Sequence, residues 1–131
     1  MNGIKENQQQ LKILKKEMVE KLIRRGDIYW ADLPDSKGRE LKEIHPCLVI
    51  SNDKQNVFSS LITVMPITSL KEGDKAFPFQ VSIQLKKESI ILADQIQTID
   101  RDKFLDRITK VSEEMLEKVE KCIHLVLALK N

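Results

Sequence analysis

The apolar spacing of this chain changes at Arg25-Gly26-Asp27 and again at Ser112, and the stretch between reads as short strands. Upstream, Ile4, Leu11, Leu14, Met18 and Leu22 recur at steps of seven, three, four and four. That is one apolar stripe on a charged cylinder and predicts a helix over residues 4–23. Downstream of Ser112, a hydroxyl suited to capping precedes Glu113 and Glu114, which suit the positive first turn of a helix. Met115, Val119, Cys122, Val126 and Leu129 then form its apolar stripe, widened by Leu116, Ile123 and Leu127. A chain with helices only at its two ends and no regular alternation of strand and helix favours a small antiparallel barrel.

The strands can be placed from local chemistry. Ile28-Tyr29-Trp30-Ala31 is β-branched and aromatic, and alternation sends one of Tyr29 and Trp30 inward and the other outward. Asp32 to Glu43 is polar, contains Pro34 and Gly38, and reads as a long loop of the kind that carries function. Pro46 to Ser51 is nearly continuous apolar and suits a central strand, closed by Asn52-Asp53 and a helical turn over 54–60. Leu61 to Ile67 is the next strand, with Pro66 implying an edge or a bulge. A polar loop, 71–75, precedes Phe77 to Leu85, whose strict alternation predicts a half-buried strand. Ile90–Ala93, Ile96–Ile99 and Phe104–Val111 complete the set.

The 131 residues fit one domain able to bury a core without staples. The organisation expected is an N-terminal amphipathic extension, 1–24, followed by a barrel domain, 25–131. No apolar run nears the roughly 20 residues of a membrane span, and polar Asn2, Glu6, Asn7 and Gln8-Gln9-Gln10 stand where a signal peptide would be apolar. A cytoplasmic protein is expected. Cys47 and Cys122, far apart and each in an apolar segment, read as buried reduced thiols. Net charge is +2: residues 1–25 hold seven Lys/Arg against three Glu, and the remainder holds fifteen basic against seventeen acidic residues. Nucleic-acid binding by the body would need a local basic surface.

Four segments in order resemble the MazF/PemK/Kid family of ribonuclease toxins. They are Arg25 to Leu33 (RGDIYWADL), His45 to Asp53 (HPCLVISND), Pro66-Ile67-Thr68-Ser69, and Ala93 to Asp100 (ADQIQTID). The likeness spans roughly residues 25–129. It implies an SH3-like barrel with short helices, assembled as a homodimer, that cuts single-stranded RNA and is blocked by the flexible tail of a cognate antitoxin. The implied reaction is attack of the ribose 2′-hydroxyl on the adjacent phosphate, leaving a 2′,3′-cyclic phosphate and a 5′-hydroxyl. It needs no metal or other cofactor, because the nucleophile belongs to the substrate. What it needs is a base, an acid and groups that stabilise the phosphorane charge.

The resemblance also assigns residues. Before Pro46 the family usually has arginine, whereas this chain has His45. A loop position that holds histidine in some members is Arg39 here, and Leu41-Lys42-Glu43 stands where the family tends to have Gln and Gly. The roles are expected to be exchanged, with His45 moving protons and Arg39 holding phosphate. Thr68 is the implied hydroxyl on the scissile phosphate. Ser69, Asp94, Gln95, Lys37 and Trp30 are candidate RNA contacts, Trp30 by stacking. Simpler readings stay open: Asp94 as a turn former, Trp30 packed under the N-terminal helix, and His124 as structural. Two other functions also stay open. One is a catalytically impaired homologue that binds RNA or antitoxin. The other is a gyrase poison of the CcdB kind, which the absence of an aromatic at the C-terminal end disfavours.

Overall fold

A computed structural model describes residues 7–12, 22–34, 43–71 and 75–130. Seven antiparallel strands form one curled sheet: β1 (Asp27–Leu33), β2 (Glu43–Val49), β3 (Leu61–Ser69), β4 (Val81–Gln84), β5 (Glu88–Ile91), β6 (Gln97–Asp100) and β7 (Phe104–Lys110). Their spatial order is β4-β5-β3-β2-β1-β7, with β6 also on β3. Helix α1 (Asp53–Phe58) follows β2 and helix α2 (Glu113–Val126) closes the chain. Residues 7–12 are helical and exposed, and 13–21 lie outside the described residues. Residues 22–24 are not helical, and Ile23 is buried in the core of the sheet rather than on a helix face.

Each face of the sheet buries its own cluster, because alternate residues of β1, β2 and β3 point opposite ways. Ile28, Leu48, Met65 and Ile67 face Val119 and Cys122 of α2. Tyr29, Ala31, Cys47, Val49, Ile62, Val64 and Ile99 fill the inside of the curl, where the Phe104 ring meets Tyr29 edge-on at 5.4 Å. Both cysteines are buried and free.

Arg25-Gly26-Asp27 is the knot of this arrangement. Gly26 sits at φ +92, and a Cβ there would meet Leu116 Cδ1 at 3.2 Å, so only glycine turns the chain into β1 without strain. Buried Asp27 accepts the Arg24 N–H at 3.1 Å and the Arg107 guanidinium at 3.3 Å. The Arg25 side chain donates to the Ile50 carbonyl and pairs with Glu120 of α2 at 2.8 Å. These three residues tie the two ends of the barrel together.

Caps behave as their chemistry requires. Ser112 accepts the Met115 N–H at 3.2 Å, and Asn52 accepts the Gln55 N–H at 2.9 Å. Behind α1, the fully buried Asn56 donates to the Ser51 carbonyl at 2.9 Å. Pro66 is interior to β3, paired with Cys47 on one edge while its carbonyl accepts the Leu92 N–H on the other. Contrary to expectation, it is neither on an edge strand nor in a bulge of its own strand.

The expected strand Phe77 to Leu85 is shortened to β4. Its first residues form a turn in which the Gln80 N–H donates to the Phe77 carbonyl at 2.9 Å. Alternation of apolar and polar residues continues through this turn, but Pro78 lacks the N–H a ladder needs.

Candidate active site

The register of β2 against β3 sets the geometry. The last ladder pair is Cys47 with Pro66. His45 lies two residues before Cys47, and Thr68 lies two residues beyond Pro66. Residues opposite one another share a face, and residues two apart along a strand share it as well. His45 and Thr68 therefore stand at the same end and on the same face of neighbouring strands. His45 is half-buried and opposite Ala31 of β1; Thr68 is exposed and opposite Ile90 of β5.

Two other ionisable groups on that face, Cys47 and Tyr29, are unsuited to proton transfer near neutrality. Burial pushes the Cys47 thiol up to about 12. Burial, reinforced by the Asp27 carboxylate, also raises the Tyr29 hydroxyl. His45 brings to this face an imidazole, one nitrogen of which can accept a proton while the other donates one.

Lys37 and Arg39 lie outside the described residues. Their loop, however, leaves β1 after Leu33 and Pro34 and rejoins β2 at Glu43, which pairs with Leu33. Both ends of the loop are thus anchored two residues from His45.

Asp94 and Gln95 come from a bulge on the other edge of β3. The Leu92 N–H donates to the Pro66 carbonyl at 2.9 Å, and Gln97 pairs with Val64. The four residues between, Ala93 to Ile96, loop out opposite Met65 alone. Ala93 is buried in the core, while Asp94 and Gln95 are exposed. Ser69 pairs with Ser89, next to Thr68 but pointing the other way by alternation.

Trp30 does not join this group. It is 43% exposed, but it pairs with Pro46 and so lies on the opposite face from Ala31 and His45. His124 is exposed on α2, where its carbonyl accepts the Leu129 N–H at 2.9 Å.

A surface that sequence reasoning missed is the turn before β4. Phe77, expected to face inward, is 60% exposed and stacks on Phe79 with centroids 5.4 Å apart and planes 4° from parallel. Pro78 between the two rings was the available signal.

Residues 24–127 match the family model described as the PemK-like, MazF-like toxin of type II toxin-antitoxin systems. The chain belongs to the PemK/MazF toxin family. Among similar family members, endoribonuclease EndoA of Bacillus subtilis is 39% identical over 82% of this chain and 97% of its own length. Endoribonuclease MazF of Staphylococcus epidermidis is 35% identical, over 84% of this chain and 95% of its own.

Solved structures agree on the fold. A mycobacterial endoribonuclease in complex with its cognate antitoxin superposes at TM-score 0.69 with 21% identity, covering 83% of this chain and 98% of that one. MazF of Deinococcus radiodurans gives TM-score 0.68 at 22% identity, covering 82% and 98%. The small antiparallel barrel expected from the sequence is the fold of these PemK/MazF structures. The matched span omits the first 23 residues and includes every strand, both labelled helices, and the His45 and Thr68 positions.

Proposed function

We propose that this PemK/MazF member is a toxin that cuts single-stranded RNA as an endoribonuclease, with His45 and Thr68 at the reacting phosphate. Kinship with endoribonucleases at 35–39% identity supports the activity. The observation that carries the site is the shared end and face of His45 and Thr68 on β2 and β3.

The reaction follows from RNA chemistry. The 2′-oxygen forms a bond to phosphorus as the bond from phosphorus to the 5′-oxygen breaks. The 2′-hydroxyl proton leaves to a base, and the 5′-oxygen takes a proton from an acid. His45 serves these transfers, since one imidazole nitrogen accepts while the other donates. Thr68 donates its hydroxyl to a non-bridging oxygen, and Arg39 neutralises the phosphorane. Asp94, Gln95, Ser69 and Lys37 hold neighbouring nucleotides, and Trp30 acts from the other face. DNA lacks the attacking hydroxyl and is not cut.

The catalytic body is 25–131, with 1–24 as an extension, a division supported by the family match beginning at residue 24. The protein acts in the cytoplasm as a homodimer restrained by a cognate antitoxin. Among the described residues no helix is long and apolar enough to cross a membrane. The dimer is supported by Leu125, Leu127 and Leu129, about half exposed at the end of α2. Light scattering at micromolar concentration is expected to give twice the chain mass.

The test is incubation of purified protein with mixed-sequence RNA in EDTA. Fragments with 2′,3′-cyclic phosphate and 5′-hydroxyl ends are expected. Intact RNA across a broad panel, or cutting that requires added metal, would overturn the reading.

A further inference from the structure

Beyond Thr68, the pair Ser69–Ser89 ends the β3–β5 ladder, and past it opens a cleft of about 540 Å³. Leu70, Lys75 and Ala76 after β3, Gln84 and Glu88 of the β4–β5 hairpin and Met115 in the first turn of α2 line it. Its size falls in the roughly 300–1,000 Å³ range of small-ligand sites. Gln84 Nε2 donates to the Leu85 carbonyl at 3.1 Å, which holds its amide in one orientation.

Phe77 directly follows Ala76 of the cleft wall. Phe77 is 60% exposed and is held in place from behind. Phe79 stacks behind it, the Phe77 N–H donates to Gln80 Oε1 at 3.0 Å, and the Cys122 thiol donates to the Pro78 carbonyl at 3.6 Å, tying the turn to α2. Lys71, Lys75, Lys86 and Lys87 are all exposed on the same loop and hairpin. Exposed Glu88 stands on the same hairpin and exposed Glu113 and Glu114 on α2, so the surface is mixed in sign and offers ammonium groups without a net basic field.

An exposed aromatic face beside a polar cleft, with ammonium groups on the flanking loop and hairpin, suits a single strand of nucleic acid. Resting on the endoribonuclease reading, we propose that Phe77 stacks an unpaired base of the RNA outside the scissile step. The edge of that base enters the cleft against Gln84 and Glu88, and the lysines take the flanking phosphates. Phe77 is thus a substrate-binding residue that acts on affinity and not on bond breaking.

The experiment measures the affinity of a fluorescein-labelled, random-sequence 2′-O-methyl RNA 12-mer pool for wild type, Phe77→Ala and Phe77→Tyr. This pool cannot be cut, so binding is read whether or not the protein cleaves RNA. Phe77→Ala should raise Kd by roughly tenfold, and Phe77→Tyr should restore it. On cleavable RNA the same loss should fall on KM, with kcat unchanged. Equal binding by wild type and Phe77→Ala, or no binding of the pool by wild type, would overturn the proposal. So would a halved mass of Phe77→Ala in light scattering, since the ring would then be a contact between two copies of the chain. Failure of the endoribonuclease reading would show separately, as RNA bound but left intact.

Discussion

His45 on β2 and Thr68 on β3 each stand two residues past the last ladder pair of their strands, Cys47 and Pro66, on one face of the sheet. Two residues 23 apart in sequence are thereby carried to one end and one face of neighbouring strands. Rigid placement of this kind is what acid–base work beside a phosphate requires.

Thr68→Ala should lower kcat by about tenfold with little change in KM, because its hydroxyl serves the charge that grows on phosphate. Combined with His45→Ala, the losses should fall short of multiplying, since both act on one step. Single-turnover rates of the three variants check this.

Gly26→Ala should cost about 1–2 kcal/mol. The substituted residue would be forced to positive φ, and its methyl would press on Leu116. Urea denaturation measures the loss, and cleavage by the folded fraction should be unchanged.

Asp27→Ala should cost about 2 kcal/mol, since it leaves the Arg24 N–H and the Arg107 guanidinium without their buried acceptor. The same urea experiment reads it. Arg25-Gly26-Asp27, which opens the first of the four family-like segments, is in this account a structural knot with no part in the chemistry.

Much of the fold was legible because it follows from local rules. Ser112 is a cap by its chemistry, and alternation sets Tyr29 and Trp30 on opposite faces. What was misread is where two rules competed. Period-two spacing from Phe77 to Leu85 ran on through a turn that Pro78 imposes. The helix expected to residue 23 is not helical at 22–24, because Ile23 is drawn into the sheet core by non-local packing. The candidate site was named by resemblance. Its geometry depends on β2–β3 register and on the bulge at Ala93–Ile96, which arise from pairing between distant segments and leave no local signature.

Cys47 gives a pH signature. Its thiol is raised from 9.0 to about 12 in the folded chain, so the unfolded chain ionises first as pH rises. The stabilisation is intact below pH 9 and drains away between pH 9 and about 12. Wild type should lose about 2 kcal/mol more than Cys47→Ala between pH 8.5 and 10.5, at about 1.4 kcal/mol per pH unit above 9. Urea titrations of both proteins at the two pH values check it.

The most direct measurement is the single-turnover cleavage rate of His45→Ala against wild type, on one RNA at saturating protein in EDTA. A proton-transfer role predicts a loss of roughly 100-fold or more with RNA affinity kept. A variant that cuts at the wild-type rate would remove His45 from the chemistry and contradict the account.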